Sequence, residues 1–511
     1  MTRPAFYRPS DVRSAFLDPS TGVGVTDGGR SFYARPRAAQ GLTLADLADA
    51  AAAAGVTRVY LTGGPWPEDW LTYTDPDVSG WVPGPRGHYT DPGDTRLDLA
   101  RTTPDGPQRV DIRRAASWGL PDDTPAPLAA ETFTALERAL RKAWRPPEGV
   151  PVLLATPTAT GQQLAALALP RGWDPEPLAP DLAALVRATS PQHRIETPGS
   201  CYGGCDAHRA RPDTEAVVTH LDARFAYAAL CRELGAGGEL VTADRLEEAL
   251  TVSPYVRGRA HVRYTVPDWW EHPGLVVEKH PDGRHWHAPD RPGYTGQAWL
   301  DTSELVMARA FGWRLEIVEG LLYGRTPQDP LRLWIERLVE IRTRAETAGR
   351  AGSRPAELAA DILRTIALRT IGSMHSTGRR VAHIAASPLE VPPTGIEDRR
   401  DLPGGRVLYH TRQTPRGAAA AWARPELSSQ IWARAHTRLA VGPGGAGFLS
   451  LRDPDAVVGM WGDALYLTTG DPGWPDDGRP GRYRVKGATP TPVPRPRGVR
   501  ALTTLRDTIG A

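Results

Sequence analysis

The chain has 511 residues, 40% of them apolar and 23% charged, with a net charge of +2. That length holds two to four domains or subdomains, and the apolar share is enough to build real cores. No apolar run approaches the roughly 18 residues of a membrane span, three cysteines do not make a disulfide framework, and the near-neutral balance excludes binding to a polyanion by bulk charge alone.

The opening segment, residues 1–13, lacks the apolar core of a secretory signal, so the expected location is the cytoplasm, with no membrane partner. Only Lys142, Lys279 and Lys486 are lysines, so nearly all positive charge is arginine. With heavy Ala, Gly and Pro use, this points to a GC-rich coding source more than to a function. The charge is uneven. Residues 325–380 hold eleven Arg against six Asp plus Glu. Such a basic stretch suits either phosphate contact or a solvated helical face.

Residues 1–195 read as an N-terminal α/β domain. "LTLADLADAAAAAG" reads as a helix and "VTRVYLTGG" as a strand. "LAAETFTALERALRKAW" (128–144) has helical amphipathy, and "GVPVLLATPTATG" reads as another strand. Pro-rich stretches at 82–92, 120–127 and 170–180 read as loops. From 215 onward a strand ends at Asp222, followed by a helix over 226–234 stopped by Gly235. "HVRYTVP" and "LVVEKH" read as strands. "TSELVMARAFG" reads as a helix with a Ser/Thr cap, and "WRLEIVEGLLYG" as a strand. Two helices follow. Trp334, Leu338 and Ile341 form an apolar stripe on the first, with Arg337 and Arg344 on another face. Arg364, Leu368 and Ile371 share one face of the second by the same spacing. Residues 381–455 offer one helix, "PELSSQIWARAHTRLA", and residues 457–469 read as a strand.

Cys201, Cys205 and His208 have C-x3-C-x2-H spacing. That supplies three ligands with no second pair nearby in sequence, so zinc is not expected there. His280, His285 and His287 flank the Asp282-Gly283 turn, which reads as a hairpin tip carrying exposed histidines.

Two aspartates stand out: Asp222 in "THLDARFAYAAL" and Asp463 in "VVGMWGDALYLTT". Each closes or follows a β-branched and aliphatic run, and a strand holds a carboxylate rigidly. Two carboxylates converging from two strands can hold two Mg2+ ions about 3.5–4 Å apart, the geometry of nucleotidyl transfer.

The neighbours of these aspartates carry a resemblance. Asp222 is followed at +5 by Tyr227, Ala228 and Ala229, which resembles the D-x-x-S-L-Y-P-S motif of family B DNA polymerases, with Phe225 and Ala226 in the S-L slots. "DALYLT" (463–468) is similar to the second half of D-T-D-S-I-Y-L-T. "LRTIALRTIG" (363–372) is similar to K-x-x-x-N-S-x-Y-G, with Arg364 for lysine, Leu368 for asparagine, Ile371 for tyrosine and Gly372 as the closing glycine. "CYGGC" (201–205) precedes Asp222 by about the interval of Y-x-G-G in the protein-primed enzymes of phages and linear plasmids. Four motifs in the family's order over about 200–470 are more specific than any one of them. The chain departs at Trp461, which replaces the first aspartate of the third motif, and at Arg364, Leu368 and Ile371.

The resemblance implies an α/β (α+β) fold: a right-hand palm with helical fingers and a small thumb, after an N-terminal domain related to a degenerate exonuclease domain. The divisions it implies are 1–195, palm 196–324, fingers 325–380, palm with an insertion 381–470, and a thumb-like 471–511. It implies a DNA-directed polymerase with Asp222 and Asp463 as catalytic, metal-binding residues and two Mg2+ ions, for which Mn2+ can substitute. Tyr227, Arg364, Arg342, Leu368 and Gly372 would bind nucleotide, and Gly203, Gly204 and Lys486 would touch DNA. The partners implied are template and primer DNA, deoxynucleoside triphosphates and a terminal or priming protein. The D-x-E triplets Asp174-Pro175-Glu176 and Asp213-Thr214-Glu215 sit beside prolines outside strand-like runs, so no proofreading is expected. Two other classes stay open: an inactive polymerase-like DNA-binding or telomere-associated protein, and an unrelated two-metal nuclease.

Overall fold

The computed structural model of the protein describes residues 13–36, 41–63, 80–84, 89–91, 94–144, 149–170, 176–191, 195–199, 205–253, 255–283, 285–324, 329–414 and 418–509. The chain forms two compact units. One comprises residues 1–168 and 336–423, the other 169–335 and 424–511. Each is therefore built from two separated stretches of sequence.

The first unit is organised on an eight-stranded sheet. Ser14–Leu17, Arg58–Leu61 and Gly106–Arg114 run parallel, and Asp94–Thr103 pairs antiparallel with the last of these. The period-2 alternation of strands explains its two faces. Leu97 faces Ile112 and Leu99 faces Val110, and all four are buried with Leu44, Leu47 and Ala51 of the helix Leu44–Ala53. That helix starts at a Thr43/Asp46 capping box. The intervening residues are Arg96, Asp98, Asp111 and Arg113, all buried. Arg96 donates to Asp111 at 2.9 Å, and Arg109 donates to Asp98 at 2.7 Å. Burial alone would raise the Asp111 carboxyl, but Arg113, Arg96 and Arg58 hold it below its ordinary range.

Helices Ala126–Ala143, Pro157–Ala168 and Arg354–Met374 complete this unit. The second and third cross closely at Gly161. A Cβ there would lie 1.8 Å from Thr370 Oγ1, so only glycine allows the approach. The stretch 149–161, expected as a strand, is irregular and then enters the helix at Pro157, because proline at a first turn is set for a helix and cannot serve a strand ladder. Residues 379–413 add a three-stranded antiparallel sheet that the sequence did not announce, made by Arg379–Ala385, Ile396–Asp401 and Val407–Gln413. The middle strand in sequence is almost wholly exposed, so it carries no apolar alternation to read.

The second unit holds two antiparallel sheets over one core. The first has the order Tyr483–Ala488, Thr219–Ala223, Ala464–Leu467, Val457–Trp461, Ile195–Glu196. The second has the order Ala236–Thr242, Arg314–Gly324, Gly258–Thr265, Thr295–Asp301. Leu221, Ala223, Leu465 and Leu467 of the first bury with Val262, Tyr264, Ala298 and Ile317 of the second. The helix Thr302–Ala310 closes the core, and its cap is Asp301 with Glu304 rather than a Ser or Thr. The helix Pro425–Val441 forms where "PELSSQIWARAHTRLA" indicated.

Candidate active site

Asp222 occupies the fourth position of the fully buried strand Thr219–Ala223. This strand is central, flanked by Tyr483–Ala488 on one side and Ala464–Leu467 on the other. Alternation sends Leu221 and Ala223 into the core and His220 and Asp222 to the opposite face. On the neighbouring strand, Ala464 stands opposite Asp222 and Tyr466 opposite His220.

Asp463 sits in the two-residue turn between Val457–Trp461 and Ala464–Leu467. Gly462 takes the first turn position with φ +61°, a conformation that favours glycine and suits a tight hairpin. The expected single strand over 457–469 is thus a hairpin with the aspartate at its tip. The Ala223 N–H donates to the Asp463 carbonyl at 3.3 Å, so the turn is tied to the residue after Asp222. The charges of both aspartates act on Tyr466, whose hydroxyl burial pushes up to about 12, and on buried Tyr483, raised further. Asp463 adjoins Ala464, the residue opposite Asp222, so the two aspartates are neighbours in the sheet.

Beyond Asp222 the chain turns sharply. Phe225 is left-handed (φ 43°, ψ 46°) and buried, an uncommon conformation for a bulky side chain. Strain of this kind collects at functional sites. It launches the short helix Ala226–Leu230, which ends at Cys231 well before Gly235, so the expected helix over 226–234 is half its length. Tyr227 is half-buried on this turn, and a Cβ built on Gly462 would meet its hydroxyl at 3.3 Å. Tyr227 and Gly462 line one pocket with Glu304, Ser429, Trp432 and His436. In it, His436 Nδ1 and Glu304 Oε1 pair at 2.8 Å.

The surroundings of Asp222 are cationic. Lys486 Nζ lies 3.4 Å from Asp222 Oδ2. Burial pushes the His220 imidazole down to about 4; Asp222 opposes this, while Lys486, Arg506 and Arg484 add to it. His220 stacks on Tyr466 with ring centroids 4.7 Å apart. Trp461 lies under the Arg506 guanidinium, 4.1 Å from the ring centroid. Arg506 comes from the C-terminal helix Val499–Ile509, whose Leu502 and Leu505 pack on Val458, Ala464 and Tyr466.

Arg342, Arg364, Leu368 and Gly372 belong to the first unit, on the helices Arg332–Arg350 and Arg354–Met374. Trp334, Leu338 and Ile341 are buried, as their stripe indicated. Arg342 pairs with Glu346 at 2.6 Å. Burial raises the Asp361 carboxyl, and Arg342 and Arg364 both lower it, so the two arginines share one acidic neighbour. Arg364 and Leu368 are half-exposed, but Ile371 is buried. The expected common surface through Ile371 is therefore corrected: that position belongs to the packed face with Ile366, Ala367 and Thr370.

Gly203, Gly204 and Cys201 lie outside the described residues, as do Asp174 and Pro175. Glu215 opens a two-residue strand. The histidine expectation is corrected in part. His280 and His287 are buried, and His285 is half-exposed on the hairpin of Glu278–Lys279 and Trp286–His287. His287 closes with Cys205 and His208 into a group whose possible ligand atoms lie within 4.8 Å of one another. It is the one such group of three or more His, Cys, Asp or Glu among the described residues. Sequence spacing missed it because His287 arrives from 79 positions away.

No family model matches the chain, and no curated protein matches it. Among the solved structures that share its fold are three of Phi29 DNA polymerase. Phi29 DNA polymerase in a ternary complex with primer-template DNA and incoming nucleotide superposes with a TM-score of 0.55 at 12% identity, over 94% of this chain and 85% of that one. Its binary complex with primer-template DNA gives 0.53 at 11% identity over the same shares. An orthorhombic crystal form gives 0.51 at 12% identity, over 91% and 81%. The chain therefore shares the fold of Phi29 DNA polymerase, a protein that has a palm, fingers, a thumb and an N-terminal exonuclease-like domain.

Proposed function

We propose that the protein is a DNA-directed DNA polymerase that transfers deoxynucleotides to a primer hydroxyl. The observation that carries this reading is the tie between Asp222, borne on a strand of a palm-like sheet, and Asp463, at the tip of the hairpin whose second strand pairs with that strand, through the Ala223–Asp463 hydrogen bond at 3.3 Å. The Phi29 polymerase structures that share the fold hold primer-template DNA and nucleotide, which supports DNA and deoxynucleoside triphosphates as partners here.

The donor set suits magnesium, because hard divalent cations take carboxylate oxygens. Asp222 and Asp463 would hold two ions, and Lys486, 3.4 Å from the Asp222 carboxylate, would give way to the metal there. When bound, the metal supplies a lowered pKa for the attacking hydroxyl and charge neutralisation on the triphosphate. The protein's own side chains do the rest. Tyr227, beside the Gly462-Asp463 turn, forms the floor under the sugar. Arg364 clamps phosphate oxygens with its planar fork, and Lys486 faces the primer strand. Arg342, Leu368 and Gly372 complete the nucleotide side, and Gly203 and Gly204 the DNA side. The palm comprises 196–324 and 381–470, the fingers 325–380 and the thumb 471–511. Work on a mobile or linear replicon, with a terminal or priming protein and without proofreading, fits the motif set.

A second reading has its own observation. Trp461 fills the position of one motif aspartate and is covered by Arg506 at 4.1 Å. A palm altered in this way serves as an inactive DNA-binding or telomere-associated factor. Primer extension with labelled nucleotide and Mg2+ separates the two. Incorporation by the parent that is lost in Asp222→Ala supports the polymerase. DNA binding without incorporation by the parent supports the inactive palm.

A further inference from the structure

We infer that Cys205, His208 and His287 form a zinc site that clips the chain ahead of the Asp222 strand to the hairpin of Glu278–Lys279 and Trp286–His287. The distances are those of a coordination shell. Cys205 Sγ is 3.6 Å from His287 Nδ1, and His287 Nδ1 is 3.3 Å from His208 Nε2. Around a tetrahedral zinc with Zn–S of about 2.3 Å and Zn–N of about 2.05 Å, neighbouring ligand atoms stand about 3.6 Å (S to N) and about 3.3 Å (N to N) apart.

The hydrogen bonding behind the ligands points the same way. His208 Nδ1 meets Asp290 Oδ1 at 3.2 Å, and His287 Nε2 meets Glu278 Oε1 at 3.1 Å. Both carboxylates are buried. Each therefore fixes the ring proton on the nitrogen it faces, which leaves lone pairs on His208 Nε2 and His287 Nδ1. These two lone pairs point at one another, with the Cys205 sulfur alongside. A cation at their meeting point resolves the repulsion, and a carboxylate behind each ring is the usual support of a metal-bound histidine. The supports are themselves held. Arg211 donates to Asp290 at 2.5 Å and to Asp455 at 2.6 Å, and Tyr294 donates to Glu278 at 2.7 Å.

A Cys/His donor set selects zinc over magnesium. A dithiol reductant first opens the Cys205 disulfide by exchange and is itself oxidised to a disulfide; metal binding then sends the Cys205 thiol proton to solvent. Cys205 is disulfide-bonded in this structure, so the site belongs to the reduced protein, as in a compartment that keeps thiols reduced. Cys201 lies outside the described residues and is no part of the site as drawn. The three side chains fix the backbone that leads into the Asp222 strand, and the fourth position of the tetrahedron is open to water. The site uses neither Asp222 nor Asp463 and does not depend on the polymerase reading.

The test uses the full chain purified under reducing conditions. Elemental analysis should find one zinc per chain, also in the double variant Asp222→Ala, Asp463→Ala. Cobalt(II) exchanged into the site should give tetrahedral d–d bands and a thiolate-to-cobalt charge-transfer band, the latter lost in Cys205→Ser. His287→Ala should lose the metal. Glu278→Gln keeps all three ligands and should weaken zinc about 10–100-fold, so it reads the site even if His287→Ala does not fold. Reduced protein without metal, a cobalt spectrum without charge transfer, zinc retained unchanged in Glu278→Gln and His287→Ala, or a Cys205 disulfide that persists in reductant would each overturn the inference.

Discussion

Lys486 Nζ lies 3.4 Å from Asp222 Oδ2, a lysine on one strand answering a carboxylate on the next. Asp222 is thus a buried carboxylate paired with a cation that a bound metal would have to displace or share. Asp222→Ala and Asp463→Ala should each lower incorporation by at least about 100-fold, or some 2.7 kcal/mol of barrier. Circular dichroism should show the fold unchanged. Activity in either variant within tenfold of the parent would remove both residues from the metal site.

Lys486→Ala separates two roles for that cation. If Lys486 touches the primer backbone, the dependence of DNA affinity on salt should flatten by about one unit of log–log slope. An unchanged slope with a lower magnesium requirement would make Lys486 only a counter-ion to Asp222.

The turn that carries Asp463 is coupled to Tyr227. A Cβ on Gly462 would meet the Tyr227 hydroxyl at 3.3 Å, and φ there is +61°. Gly462→Ala should therefore cost on the order of 1 kcal/mol in stability and lower kcat more than it lowers melting temperature. Tyr227→Ala should admit ribonucleotides far more readily, while Tyr227→Phe should not. Truncating a true core ring costs about 3–5 kcal/mol. A fall in melting temperature of that order with an unchanged ribo/deoxy ratio would assign Tyr227 to packing instead.

The two arginines of the proposed fingers should behave differently. Arg342 is engaged with Glu346 at 2.6 Å, whereas Arg364 is half-exposed on its helix. Arg364→Ala should raise the nucleotide KM about tenfold or more with DNA affinity little changed, and Arg342→Ala should change KM much less. Loss of DNA binding in Arg364→Ala with normal kinetics at saturation would make it a template contact.

In the first unit, Asp111 is buried among Arg96, Arg113 and Arg58. Its carboxyl is held below its ordinary value, so its contribution is present above the unfolded-state value and is lost as pH falls through the folded one. Asp111→Asn should destabilise by about 3–5 kcal/mol near neutrality, because it strands buried guanidinium charge. The variant should also lose less stability than the parent on acidification. Equal acid sensitivity of the two melting curves would sink this assignment.

Much of the candidate site was legible because its signals are local. A strand alternates with period two, so "THLDA" and "VVGMW" announce rigid supports, whereas the single strand read over 457–469 hid the Gly462-Asp463 turn that the tertiary structure shows. The stripe of Trp334, Leu338 and Ile341 is local in the same sense, since helical spacing alone puts those residues on one side. Ile371 misled because helical spacing gives an angle but not which side is covered, and the packed side of its helix runs through Ile366, Ala367 and Thr370. Only the tertiary structure set Lys486 against Asp222, since sheet order rather than sequence distance decides cross-strand neighbours. The same holds for His287, brought to Cys205 and His208 by a hairpin that sequence spacing cannot measure. What the chain states by itself is which residues face the same way; what the fold adds is which of those faces meet.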